Sequence, residues 1–393
     1  MTSNAADSLA RLHAPAVTVF DAELLGCAAV RIPALLRCRN GRLVAFAEAR
    51  HHSPGDTGRI DVIASTSQDG FQWSPARTIA TNGDGTHGNP VPIEASTGEI
   101  VLLTTTNGAH AKEGDILVGA VDRADGRRVH VTRLSSDLSQ VGDAREITET
   151  VFDPTWAWYA TGPGHGVRLA SGRLVVAANH SYRRPAVPDG ARDDDTQPST
   201  AWFYGAHGLI SDDDGHSWRL AWVTEGTDGI HGPNESALTV DPDRPEEVVV
   251  TIRNQHEGDA AARSAARTQH HATSLRSHQV LTGYDGPRVQ CGVGADRGTG
   301  SILLTSPAAA GRRADLVLRV ITDATSDTLG LLRAGPAGYS DMAVGEDVLD
   351  ILVETGEAST HERIDLLRMD LMEMRRAVWA RTPSSVGQTA RGD

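Results

Sequence analysis

The segment Ser211-Asp-Asp-Asp-Gly-His-Ser-Trp218 has the form S-x-D-x-G-x-x-W, and weaker copies recur along the chain. A partial copy runs Thr66-Ser-Gln-Asp-Gly-Phe-Gln-Trp73, with Gln68 standing where the first aspartate is expected. Eroded echoes follow near Ser135-Ser-Asp137, Thr273 and Ile321-Thr-Asp323. Such a turn has a physical logic. The Asp side chain accepts from its own backbone, Gly takes positive φ, and Trp packs under the hairpin between sheets. Repetition at irregular intervals of about 50–75 residues implies a series of equivalent β units rather than one continuous sheet.

The segments between the turns agree. RLVAFAEA, EIVLLTTT, RLVVAANH, EVVVTI, SILLTS and DILVE are short, apolar and bounded by Gly, Pro, Asp or Asn, while helix signals are scarce. With 393 residues and about one four-stranded unit per repeat, the reading is an all-β, six-bladed β-propeller of four-stranded antiparallel sheets. No composition break marks a second domain. The expected division is an N-terminal tail over 1–15, one propeller over 16–382 and a disordered tail over 383–393. The last strand, Glu362 to Leu371, is expected to join a first strand around Val17–Leu24 and close the ring.

Composition narrows the function. There are 51 acidic against 37 basic side chains, a formal net charge of −14 with no basic run, which argues against nucleic acid or an anionic membrane as partner. Lys112 is the only lysine, so the GK[ST] of a phosphate-binding P-loop is absent. No apolar run reaches the ~18 residues of a membrane span. The start shows no basic region followed by an apolar stretch, so the chain reads as cytoplasmic as written, or secreted if a leader has been removed. The three cysteines (Cys27, Cys38, Cys291) read as small core residues, not a disulfide framework. The N-x-[ST] matches at Asn179 and Asn234 carry weight only in a secreted chain. The pairs His51–His52 and His270–His271 lack a second ligand set, and Gly162-Pro-Gly164-His-Gly166 reads as a loop.

Four separated segments are polar where the surrounding strand is apolar. They are Val30-Arg-Ile-Pro33; Phe46-Ala-Glu-Ala-Arg50 with the loop to Asp56; Gly232-Pro-Asn-Glu-Ser236 with Thr251-Ile-Arg-Asn254; and Arg312-Arg313-Ala-Asp-Leu with Gly338-Tyr-Ser340 and Leu352-Val-Glu354. An arginine on a strand is costly to bury unless paired. Several converging arginines therefore suggest a carboxylate or phosphate ligand.

On these residues the chain resembles the bacterial exo-α-sialidases. The segments carrying the resemblance include RIPALL, AFAEARHHSPGDTGRID, GNPVPIEASTGEIVLL, WYATGPGHGVRLASGRLVV, GPNESAL, TIRN, RRADLVLRV and GYSDMAV, in the family's order from about Val17 to Leu371. The resemblance implies that Arg31, Arg253 and Arg313 form a carboxylate-binding triad, with Arg312 competing for the third place. It implies a nucleophile at Tyr339, its paired carboxylate at Glu235, an acid/base at Asp56, a glutamate holding the first arginine at Glu354 and a further pocket arginine at Arg50. Glu48 stands where some relatives have Asp, a change expected to be harmless. Trp156 and Trp158 are expected to line the pocket.

The implied chemistry is coherent. A sialic acid carries a carboxylate on its anomeric carbon, which repels a carboxylate nucleophile but not a neutral phenol. Tyrosine then needs a base, and the leaving oxygen needs an acid. The resemblance implies a retaining exo-α-sialidase acting on sialylated glycans or oligosaccharides, with no metal and no cofactor. The alternatives are a glycosidase for a related nonulosonic acid, such as a deaminated sialic acid, a sialoside-binding propeller without catalysis, and a scaffold for protein partners.

Overall fold

A computed structural model describes residues 9–183, 204–227, 230–255, 262–308 and 311–379. The expected tail over 383–393 and the first eight residues of the expected N-terminal tail lie outside them. The described chain is all-β, built of antiparallel meanders. Leu43–Arg50, Ile60–Ser67 and Ile100–Asn107 are buried at every position, so both faces of these strands are covered. This is why they read as continuous apolar runs without alternation.

The first meander comprises Ala29–Arg37, Leu43–Arg50, Ile60–Ser67 and Arg77–Ala80. A single parallel bridge, Ile60 to Thr86, joins it to a second of Thr86–Glu94, Ile100–Asn107, Arg128–Leu134 and Arg145–Glu146. The third runs Trp156–Thr161, Leu174–Tyr182, Tyr204–Ser211 and Arg219–Thr224, with Val167–Arg168 pairing beside it. The fourth is Pro233–Asp241, Arg244–Asn254, Arg263–Gln269 and Ser274–Val280. Gly292–Asp296, Ser301–Pro307 and Ala314–Thr322 lead into the 20-residue strand Thr325–Val344. Its first half completes that meander, and its second half, from Ala337, pairs with Val348–Thr355 and opens the next.

The last meander ends as the sequence leads one to expect. Arg363–Asp370 pairs antiparallel with the N-terminal strand Ala16–Asp21, Val17 facing Leu366. The first strand is shorter than expected, because Ala22–Leu25 is a helical turn. Asp21 caps it by accepting from Leu24 N at 3.1 Å, and Gly26 closes it at φ 65°.

Apolar clusters lie between successive meanders. Phe46 and Val62 meet Leu102 and Leu134; Ile93 and Val131 meet Tyr159 and Trp218; Val175 and Trp222 meet Leu238 and Val250. Val249 then meets Val293 and Leu304, Leu316 meets Met342 and Ile351, and Leu352 and Leu366 return to Val30 and Leu43.

The turns refine the sequence reading. In the Ser211 box, Ser211 Oγ donates to Asp213, Gly215 N donates to Ser211 Oγ, Ser217 N donates to Asp213 and Trp218 Nε1 donates to Gly215 O. The same bonds occur at Ser67, Asp69, Gly70 and Trp73. The earlier box is therefore one residue shorter, and Asp69 fills the place of Asp213, so Gln68 replaces nothing. Asp137 builds a like turn on Ser135 and Ser139. The turn at Thr273 is of another kind. His270, His271 and Ala272 all have φ near 60°, and Glu247 accepts from the last two backbone N–H groups. Asp323, at φ 52°, belongs to the hairpin where Thr322 faces Thr325.

Candidate active site

In an antiparallel meander the start of the first strand lies beside the end of the second. Arg31, Glu235 and Arg50, Arg253, Glu354 occupy those two positions in three meanders, and Tyr339 lies near the start of the half-strand that opens the last. The fold thus gathers them at one end around a cavity of about 240 Å³, lined by all of them except the fully buried Glu354, together with Asp56, Arg127, Trp158 and Arg313.

Tyr339 sits at its floor, 4% exposed. Its hydroxyl donates to Glu235 Oε1 at 2.5 Å and accepts from Arg253 Nη1 at 3.0 Å. Arg253 also pairs with Glu235. The Arg31 and Arg313 guanidinium carbons lie 4.9 and 5.2 Å from the ring centroid. Burial and the nearby Glu235 push the phenol well above its ordinary pKa, against the pull of the three arginines, so it rests neutral. Burial works against the charges of Arg31 and Arg253, yet Glu354 with Tyr339, Asp56 and Glu48 around the first, and Glu235 with Tyr339 around the second, together outweigh it and hold both protonated.

Glu354, fully buried, organises this floor. It accepts from Arg31 Nε at 3.1 Å, Ile32 N at 2.9 Å and Tyr339 N at 3.0 Å. Burial raises its pKa, but these partners more than offset that and keep it ionised. Two local features make room. Ile32 takes φ 56° at a bulge, a costly conformation for a β-branched residue, which turns its N–H toward Glu354. Residue 338 is glycine, where a Cβ would lie 2.4 Å from Glu354 Oε2.

Asp56 stands at the rim with its side chain 67% exposed, 2.7 Å from Arg50 Nη1 and 3.8 Å from Arg31 Nη1. Desolvation raises its pKa, and attraction to Arg50 and Arg31 wins, leaving it below the usual carboxylate range. Arg50 is 2% exposed and committed to protein groups: Nε and Nη2 to Glu48 at 2.9 and 2.6 Å, Nη1 to Pro54 O at 2.7 Å. The two candidates for the third arginine are placed differently. Arg313 faces Tyr339, whereas Arg312 is exposed and lies 3.9 Å from Asp315.

The structure therefore brings together all eight residues singled out in the sequence. Of the two expected tryptophans only Trp158 lines the cavity; Trp156 is in the core, stacked on His180 at 3.8 Å. Sequence reasoning passed over Arg127. It is buried, 4.1 Å from the Trp158 ring, and donates to Tyr159 O, Asn107 Oδ1, Asn89 Oδ1 and Thr105 Oγ1. All four acceptors are neutral, and burial pushes its pKa down to about 10. In the sequence it sits in a Gly-Arg-Arg turn that looks like solvated surface. Glu48, which stands where some relatives have Asp, is the buried partner of Arg50. No group of three or more His, Cys, Asp or Glu suited to a metal ion occurs among the described residues, and His51 is bound to Asp61 at 2.7 Å. No helix among them is long and apolar enough to cross a membrane.

Residues 41–351 match the family described as BNR repeat-like domain. An exo-alpha-sialidase of Aspergillus fumigatus is 30% identical over 287 residues, 66% of this chain and 69% of that protein. Human Sialidase-4 is 34% identical over 199 residues, 48% of this chain and 39% of its own. Among solved structures, the Hadza microbial sialidase Hz136 superposes with a TM-score of 0.73 at 20% identity, covering 91% of this chain and 68% of that one. A leech intramolecular trans-sialidase gives 0.71 at 13%, covering 91% and 70%.

Proposed function

Because the chain belongs to the sialidase family with BNR repeats, a family of glycoside hydrolases, we propose that it is a retaining exo-α-sialidase with Tyr339 as nucleophile. The observation that carries this reading is the Tyr339 hydroxyl on Glu235 beneath three arginines. A lectin needs the arginines but has no use for a phenol held on a carboxylate. The apolar clusters between successive meanders, the last returning to the first, support a six-bladed propeller as its frame.

In this mechanism Arg31, Arg253 and Arg313 grip the substrate carboxylate and set the anomeric carbon above Tyr339. Glu235 takes the phenol proton as the tyrosine oxygen attacks, and Asp56 gives a proton to the departing glycosidic oxygen. Asp56 then activates water, which cleaves the tyrosyl intermediate and restores the α-anomer. Beside Arg50 and Arg31, Asp56 is held below the usual carboxylate range. The incoming carboxylate shares Arg31 with it, adding negative charge nearby and raising its proton affinity when a proton is needed.

Release of methylumbelliferone from its α-sialoside, with wild type beside Tyr339→Phe and Asp56→Ala, tests the reading. Both variants are expected to lose roughly three orders of magnitude in kcat. Proton NMR of the first sugar released should show the α-anomer. Undiminished turnover in Tyr339→Phe would remove the nucleophile assignment, and a first-formed β-anomer would remove retention.

A further inference from the structure

Asp56 faces two arginines, and each has a buried carboxylate behind it. Arg50, on the strand Leu43–Arg50, is held by Glu48 two residues earlier through Nε and Nη2 at 2.9 and 2.6 Å. Arg31, on the strand Ala29–Arg37, is held by Glu354 at 3.1 Å. Arg127 acts on Asp56 from further back, and Tyr339 lies behind Arg31. Of the charged groups facing Asp56, Arg50 is nearest, at 2.7 Å. The same Arg50 Nη1 donates to Pro54 O, so one guanidinium grips both the acid and its loop.

The next meander is shaped around Glu48. Its second oxygen accepts from Asn89 N at 2.7 Å, with Asn89 at φ 55°. Residue 88 is glycine, where a Cβ would sit 2.3 Å from Glu48 Oε1. Glu48 is 2% exposed, so its interaction with Arg50 is little screened by water.

We propose that the buried Glu48–Arg50 pair acts as one unit to set the acidity of Asp56 and to hold the loop that carries it, which makes Glu48 a positioning residue of this site. The inference rests on the sialidase reading. An acid catalyst has to hold a proton at working pH, and a bare guanidinium 2.7 Å away would strip it. Glu48 counters that cation from the far side, leaving a strong hydrogen bond with a reduced field. Arg50 can then orient Asp56 while lowering its proton affinity less than an unpaired guanidinium would.

The experiment is the pH profile of kcat/KM on α2,3-sialyllactose, whose sugar leaving group depends on proton donation. Glu48→Gln is expected to move the alkaline limb down by about one pH unit. Glu48→Asp keeps the charge and should restore the wild-type limb. The double variant Glu48→Gln/Arg50→Gln removes the nearer cation together with the carboxylate, and its limb should lie above wild type. Opposite shifts are the signature, since structural damage alone would not reverse sign. With methylumbelliferyl sialoside, a good leaving group, the single-variant shift should shrink. Limbs that coincide in all variants would overturn the proposal. If Glu48→Gln does not fold, the double variant decides, because an unmoved limb there is equally fatal. If wild type cleaves neither substrate, the functional reading has failed by itself. A 13C-carboxyl NMR titration of Asp56 in wild type and Glu48→Gln then tests the electrostatic claim without substrate: a lower midpoint supports it, and equal midpoints sink it.

Discussion

At the scale of single residues, the site is an arrangement of buried charge whose cost is met by pairing. Arg31 has Glu354, Arg253 has Glu235 and Arg50 has Glu48. Arg313 differs, because its guanidinium stacks toward the Tyr339 ring rather than on a carboxylate of its own. A substrate carboxylate would supply what it lacks. Arg313→Ala is therefore expected to raise the Ki for free sialic acid by roughly a hundredfold, in line with truncating one partner of a desolvated charge pair. Arg312 is 61% exposed beside Asp315, and Arg312→Ala should stay within about twofold, as surface pairs do. Inhibition measured on the two variants side by side, with unchanged melting temperatures, checks both. If Arg312→Ala were the damaging change, the third arginine would have to be reassigned.

At the scale of elements, the turns show what the sequence could and could not reveal. The Ser211 box was legible because its spacing matches the bonds it makes. The copy ending at Trp73 was legible as a box but not in register, since a pattern read by spacing cannot see a one-residue deletion that the hydrogen bonds absorb. Ser67, Asp69 and Gly70 reproduce the bonds of Ser211, Asp213 and Gly215. Asp213→Ala is expected to lower stability by about 1–2 kcal/mol, the loss of a carboxylate that satisfies several local donors, and Asp69→Ala to lower it in the same direction, while Gln68→Ala stays within about 0.5 kcal/mol. Denaturant midpoints on the three variants read this directly. A Gln68→Ala loss as large as that of Asp69→Ala would restore the spacing-based register. The site divides the same way. Arg31, Glu235, Arg253 and Glu354 were visible because a charge in an apolar strand is anomalous. Arg127 and Asn89 were not, because a Gly-Arg-Arg turn and a Gly-Asn step look like surface until the fold buries them. Likewise nothing local announces that the strand Thr325–Val344 serves two meanders.

At the scale of the whole molecule, acidity pulls function and fold in opposite directions. Asp56 must carry a proton to act, which favours lower pH. The fold encloses histidines that are stable only when neutral. Burial pushes His87 down to about 4, His180 to about 3 and His278 to about 4, and His207 well below its ordinary value, with His180 adding to it. His180 and His207 meet Nδ1 to Nδ1 at 3.0 Å, a contact in which one Nδ1 donates and the other must be unprotonated, so the two rings cannot both be charged and keep it. A folded pKa below the unfolded value of about 6.5 means the unfolded chain binds more protons, so stability present above that pH is lost as pH falls through it. His165, raised because Asp341 outweighs its burial, works the other way and stabilises at lower pH, but it is one group against several. For His87 and His180, each at most 4% exposed, the linkage amounts to about 2 kcal/mol apiece at pH 5, and His207 acts in the same direction. The melting temperature is therefore expected to fall by on the order of 10 °C between pH 7 and pH 5. The carboxylates held low, Asp56 and Glu354 among them, titrate below that window and do not account for the drop. Calorimetric scans across these pH values decide the matter, and a flat melting temperature would show that the buried histidines find proton acceptors the static fold does not display. A fall would mean that the acid side of any activity profile records unfolding of the histidine-bearing sheets, while the alkaline side records Asp56.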